Sequence, residues 1–178
     1  FLAKGQVKIG SYGDGNKEIT KAILGVGEVF GELALIGEDK HRDFAMAMED
    51  TIVCILSKTE MNTLMRDHSS LSLFMMKLMG SRVLEMEKRL ESLVFKDSRT
   101  RIVEFLKDLA DKKGQRVGYE MLVRGFMTHQ EIANLTATSR QTVTTVLNEL
   151  RSKNVITFNR KRLLIRDMEL LLKEGNLS

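Results

Sequence analysis

The pattern of hydrophobic and polar residues over about the first 57 positions reads as β structure. Residues 6–12 and 18–24 are strand-like runs, and Asp14-Gly15-Asn16 between them carries the turn chemistry of a hairpin. Over 43–49, Phe44, Met46 and Met48 alternate with Ala45 and Ala47. Residues 51–56 are apolar and rich in β-branched side chains, as a buried strand would be. Gly25, Gly27, Gly31 and Gly37 punctuate the middle and predict a tight loop between two strand pairs. Short strands at this spacing point to a roll or barrel rather than a parallel sheet.

From residue 58 the period becomes helical. A short helix is predicted over 58–66, and Ser69-Ser70 can cap a much longer one running to about residue 96. Along it Met76, Met79, Val83, Met86, Leu90 and Leu93 step by 3, 4, 3, 4, 3, an a/d seam flanked by charged residues. An apolar stripe usually packs on its own domain. This helix would be about 40 Å long at 1.5 Å per residue, more than a small β domain can cover. The narrow seam therefore predicts a partner helix and a homodimer. Asp97-Ser98 breaks the helix, and Ser98 can cap another carrying Ile102, Val103, Phe105, Leu106 and Leu109. Lys112-Lys113-Gly114 ends that one with the basic residues and glycine that a helix C-terminus favours. Three parts are expected: 1–69, a β-roll; 70–96, a dimerisation helix; and 97–178, a second domain.

The stretch 127–153 is the most informative. Thr128 followed by Glu131 is a capping box, and Ile132, Ala133 and Leu135 face inward from the helix it starts. After a turn through Ala137-Thr138, Ser139 caps a second helix whose inward residues are Val143, Val146, Leu147 and Leu150. Two short helices across a tight turn form a helix-turn-helix. The runs 154–158 and 161–165 around Asn159-Arg160 predict a basic hairpin wing. At 100° per residue Gln141, Thr144, Thr145 and Asn148 share one outward sector, and Arg140 in the first turn can reach forward. Threonine is costly on a merely solvated helix because β-branching lowers helix propensity. In the major groove the same side chains can read base edges, with Arg bidentate to guanine.

Composition narrows the class. The chain has 178 residues, 43% hydrophobic and 29% charged, enough to bury a core. Its single cysteine excludes an intramolecular disulfide framework and suits a reducing, cytoplasmic setting. Its apolar runs fall far short of the roughly 18 residues of a membrane span, so no membrane partner is expected. The net charge of +4 is uneven. Residues 97–178 hold 15 Lys and Arg against 10 Asp and Glu, a mild sign of a polyanionic partner. The chain opens on Phe1 inside a strand-like run, so a further N-terminal part of the roll is expected to precede it.

In order, these parts resemble a bacterial transcription regulator of the Crp/Fnr family over essentially all 178 residues. The specific pieces are Gly31-Glu32-Leu33-Ala34-Leu35 with Arg42, and Thr128-His129-Gln130-Glu131-Ile132-Ala133 with Ser139-Arg140-Gln141-Thr142-Val143. The implied fold is α+β: an N-terminal antiparallel β-roll like a cyclic-nucleotide-binding domain, a long dimerisation helix and a C-terminal winged helix-turn-helix. The resemblance implies that Arg140 meets base edges beside Gln141 and Thr145, and that Thr128, His129, Ser139 and Thr142 lie near phosphates. It implies as partners a roughly palindromic double-stranded DNA, a second copy of the chain, a small-molecule effector and RNA polymerase. Well-studied members carry Glu and Arg at the positions of Gln141 and Thr145, so their operator is not carried over.

For the effector, the resemblance implies a pocket containing Gly31, Glu32, Arg42, Asp43, Met86 and Glu87. Gly31, Glu32 and Arg42 match cAMP-binding members. Asp43 replaces a phosphate-contacting hydroxyl, and Met86 and Glu87 replace hydroxyls that read adenine. A carboxylate beside a phosphate costs several kcal/mol in order of magnitude unless a cation neutralises it, so cAMP is disfavoured. No cofactor is identified from the residues. Cys54 lies near one iron–sulfur ligand of oxygen-sensing members, but a cluster needs about four thiolates, and a lone Cys among β-branched residues is usually buried as a hydrophobe. An iron–sulfur cluster or haem stays open only through a preceding segment. His41, His68 and His129 lack metal-ligand spacing. No catalytic constellation is present. The competing class is a cupin-like metal enzyme with a DNA-binding tail, for which residues 1–57 offer only His41.

Overall fold

The computed structural model describes residues 1–13, 18–37 and 43–176. The chain divides into two compact units, Phe1–Lys88 and Arg89–Ser178, and the division falls inside the long helix.

The first unit holds β1 (Leu2–Lys4), β2 (Val7–Tyr12), β3 (Glu18–Leu24), β4 (Phe44–Ala47) and β5 (Ile52–Val53). All pairings are antiparallel, in a three-stranded sheet β3-β2-β4 and a two-stranded one β1-β5. Gly10 occupies the central strand because a Cβ there would meet the Ile19 carbonyl at 2.6 Å and the Phe44 ring at 2.6 Å. Leu2, Val7 and Leu24 form the small core, with Ile9, Ala22 and Phe30 against it. The Asp14-Gly15-Asn16 turn lies outside the described residues. The expected buried strand over 51–56 shrinks to Ile52–Val53, and both residues are exposed. Its β-branched composition favours extended backbone, but among the described residues it pairs with β1 alone and nothing covers it.

Helix α1 (Lys58–Asp67) starts at a Ser57–Glu60 capping box. Helix α2 (Ser69–Phe95) has 27 residues and follows directly after His68, so Ser69 and Ser70 form its first turn rather than its cap. Helix α3 (Ser98–Lys113) is capped by Asp97, not Ser98: the Asp97 side chain accepts from the Thr100 amide at 2.7 Å. Being one residue upstream puts the carboxylate, the stronger acceptor, in reach of the third amide of the helix.

In the second unit β6 (Gly114–Val117), β7 (Glu120–Arg124), β8 (Ile156–Phe158) and β9 (Arg162–Ile165) make an antiparallel sheet in the order β6-β7-β9-β8. Helices α4 (His129–Leu135), α5 (Arg140–Ser152) and α6 (Met168–Glu174) complete it. Ile102, Leu106, Ile132, Leu147, Leu150, Leu163 and Leu171 are fully buried in one core. Burying each such side chain is worth about 1.5–3 kcal/mol, and together they fix α5 against α3 and the sheet.

Candidate functional site

The second unit builds its outer face from two caps and a turn. Thr128 accepts from the Glu131 amide while Glu131 accepts from the Thr128 amide, so α4 starts at a capping box. Ser139 accepts from the Thr142 amide at 3.0 Å and opens α5. Between them Ala137 takes a φ of 49°, the left-handed region that usually selects glycine. Thr136 is buried, its hydroxyl donating to the Ile132 carbonyl at 2.8 Å. Arg101 of α3 holds this turn, donating to the Thr136 carbonyl at 2.9 Å and the Ala137 carbonyl at 3.1 Å. At the far end of α5, Asn154 turns left-handed at a φ of 61° and the Val155 amide reaches the Leu150 carbonyl at 3.0 Å. That closes the helix and leads into the wing. Asn159 stabilises the wing tip by accepting from the Lys161 and Arg162 amides at 2.9 and 3.0 Å.

The side chains singled out on α5 fall into two groups. Arg140, Gln141 and Thr145 are exposed, and among the described residues their side chains make no hydrogen bond. Ser139 and Thr142 share a hydroxyl–hydroxyl bond at 2.8 Å, and the Thr128 hydroxyl donates to Glu131 at 2.8 Å. Asn148 accepts from Arg151 at 3.0 Å, and the Arg151 guanidinium lies over the Phe158 ring. Thr144 donates to the Arg140 carbonyl at 2.9 Å and meets Nδ1 of His129 at 2.8 Å. The His129 ring stands edge-on to Phe158, half-buried. Burial, and then the Arg140 charge, hold its pKa below the ordinary histidine value.

In the first unit, Gly31 takes a φ of 79° and starts a short 3-10 turn, Glu32–Ile36. Glu32 is only 5% exposed, and its Oε1 accepts from Nη1 of Arg82 on α2. Arg82 also donates to the Val29 carbonyl at 2.5 Å, while Oε2 of Glu32 is buried with no partner among the described residues. Asp43 pairs with Lys21 at 2.5 Å, so the neutralising cation comes from β3. Arg42 and His41 lie outside the described residues. Met86 is 70% exposed and Glu87 is exposed as well, so both stand on the surface of α2. Of the seam, Met76, Val83, Met86, Leu90 and Leu93 are exposed, and Met79 is half-buried.

Residues 1–68 match the cyclic nucleotide-binding domain family, and residues 100–174 match the Crp-like helix-turn-helix domain family. The global nitrogen regulator of Synechocystis sp. is 32% identical over 167 residues, covering 93% of this chain and 74% of that protein. The chain belongs to the Crp/Fnr family of transcription regulators. Another relative, the cyclic AMP receptor protein of Thermus thermophilus, is 31% identical over 171 residues, 96% of this chain and 76% of that protein. Among solved structures, a CooA mutant from Carboxydothermus hydrogenoformans superposes with a TM-score of 0.84 at 28% identity, covering 98% of this chain and 77% of that one.

As a Crp/Fnr member the chain is a transcription regulator and not an enzyme, and the cupin-like alternative finds no support among its relatives. Among the described residues no three His, Cys, Asp or Glu side chains converge as a metal site would. No helix of the described residues is long and apolar enough to cross a membrane. Cys54 is exposed, against the expectation of a buried hydrophobe; it follows strand β5, which among the described residues pairs with β1 alone. Sequence reasoning missed the β6–β7 hairpin and helix α6, and in each unit one arginine, Arg82 and Arg101. The β6–β7 hairpin was legible in Gly118-Tyr119, a two-residue turn with glycine at a φ of 63°. Helix α6 announces itself only by its Asp167 cap. Arg82 and Arg101 carry no sequence signal, since any surface arginine looks like them.

Proposed function

We propose that this regulator binds a roughly palindromic duplex as a homodimer, with α5 in the major groove. The observation that carries this is the pairing of unengaged Arg140, Gln141 and Thr145 side chains with a rigidly capped helix whose opposite face is fully buried. Arg140 is the main base reader and Gln141 and Thr145 refine the choice. Thr144 contributes its methyl, because its hydroxyl hydrogen is already spent on the Arg140 carbonyl. His129, Thr128, Ser139 and Thr142 stand on the phosphate side of the same face, with Arg160 of the wing. The three parts 1–69, 70–96 and 97–178 act as sensor, dimerisation helix and reading head.

Dimerisation through Met76, Met79, Val83, Met86, Leu90 and Leu93 is supported by the exposure of most of that seam. A twofold operator requires two heads, with half-sites about 34 Å apart. Selection from random duplexes tests the reading directly. A palindromic motif is expected, and its absence would refute the assignment of α5.

The effector is a small molecule other than cAMP. Met86 and Glu87 offer no hydroxyl, and one oxygen of Glu32 is already committed to Arg82. The Lys21–Asp43 pair removes part of the repulsion toward a phosphate, and Met86, Glu87 and Glu32 are the residues that chiefly disfavour cAMP. Oε2 of Glu32, without a partner among the described residues, is an acceptor for an effector hydroxyl or N–H. Calorimetry with cAMP should show no binding in the micromolar range, and a micromolar dissociation constant would overturn this. RNA polymerase is the expected downstream partner, in the cytoplasm.

A further inference from the structure

A hydroxyl has one hydrogen, and Thr144 gives its own to the Arg140 carbonyl at 2.9 Å. The 2.8 Å contact between Thr144 Oγ1 and His129 Nδ1 therefore requires the ring to donate. That places a proton on Nδ1 of His129. Nε2 has no hydrogen-bond partner among the described residues, and in the neutral ring it is a lone pair. A phosphate oxygen only accepts, so a neutral His129 in this tautomer meets it lone pair to lone pair. Moving the proton to Nε2 would force Thr144 to abandon the Arg140 carbonyl and turn toward Nδ1. Protonating Nε2 instead keeps both bonds and adds a charge-assisted one to the phosphate.

We infer that DNA binding takes up a proton on Nε2 of His129, with Thr144 acting as the positioning residue that locks the ring tautomer. This rests on the reading that α5 and the start of α4 face DNA. The charged groups around the ring are Arg140 at the start of α5, Arg151 across the Phe158 ring of β8, and Glu131 on its own helix, already tied to Thr128. Half-burial, and then the Arg140 charge, oppose the proton in the free chain. The phosphate reverses that balance on binding.

The test measures binding of the full chain to mixed-sequence duplex DNA at fixed ionic strength, from about pH 6 to about pH 8. Mixed sequence suffices because a phosphate contact is independent of base sequence. The dissociation constant should rise with pH, by up to about tenfold per pH unit for each His129 engaged. His129→Gln, whose amide donates at any pH, should remove that slope, and His41 and His68 remain in the variant as internal controls. Thr144→Val should flatten the slope, because the freed neutral ring can then carry its proton on Nε2. Nitrogen NMR of the free chain should show the neutral His129 ring protonated on Nδ1. A native slope as flat as that of His129→Gln, an undiminished slope in Thr144→Val, or a ring protonated on Nε2 would each overturn the inference. Failure to bind the duplex at any pH would instead overturn the DNA-binding reading beneath it.

Discussion

Arg101, in the first turn of α3, donates its Nε–H to the carbonyl of Thr136, in the turn between α4 and α5, at 2.9 Å. The same guanidinium reaches the carbonyls of Ala137 at 3.1 Å and Lys96 at 2.7 Å. One side chain thus satisfies three backbone acceptors and ties the end of α2 to the turn that orients α5. Arg101→Ala should lower unfolding free energy by about 1.5–3 kcal/mol, the range for hydrogen bonds to a charged group. Arg101→Lys should recover little, because a single ammonium lacks the planar fork that spans three carbonyls. Urea denaturation of the two variants checks both.

Ala137 holds a φ of 49° in that turn. A non-glycine residue in this region costs on the order of 1 kcal/mol, and glycine does not. Ala137→Gly should therefore raise stability by up to about 1 kcal/mol after the added entropy of the unfolded chain is subtracted. A rise in thermal midpoint with unchanged DNA affinity is the expected result.

Arg140→Ala removes an exposed side chain that makes no hydrogen bond among the described residues. It should leave folding unchanged, cost about 1–3 kcal/mol of binding per half-site and relax preference at one base pair. Arg160→Ala, on the wing, should instead weaken binding to all sequences alike and reduce the salt dependence. Competition assays with selected and scrambled duplexes separate the two effects.

Met86 is 70% exposed on the single chain, so its replacement does not disturb the unit that carries it. At the centre of a helix–helix seam, Met86→Lys would bury a charge without a partner. Its dimer dissociation constant should rise by about tenfold or more, read by sedimentation. A native chain that sediments as a monomer at micromolar concentration would refute the seam.

Lys153 at 2.6 and 2.8 Å, and then Arg99 at 2.5 Å, hold the Glu174 carboxyl below the ordinary carboxylate range. The folded state therefore keeps this group ionised at a pH where the unfolded chain, near its ordinary value of about 4.3, has begun to protonate. The stabilisation is complete above that value and is lost as pH falls through the lower folded one. Glu174→Gln should lower the urea midpoint at about pH 7 and lose less of it on acidification to about pH 3.

Periodicity and cap chemistry alone determined the long helix and the two helices of the helix-turn-helix, though not the β6–β7 hairpin or α6. The heptad steps from Met76 to Leu93 required one long helix, and Thr128–Glu131 and Ser139 placed both helix starts of the reading head. Those signals are local, so a single chain carries them. Their limits are equally local. Over 51–56 the β-branched run specifies extended backbone, but burial depends on what lies across the sheet, and Ile52, Val53 and Cys54 are exposed. The pairings Glu32–Arg82, Arg101–Thr136 and Thr144–His129 join residues 50, 35 and 15 positions apart. Only the tertiary structure decided these. The patterns show which face a side chain occupies, but a hydrogen bond depends on the position of two groups to within a fraction of an ångström, and packing sets that position.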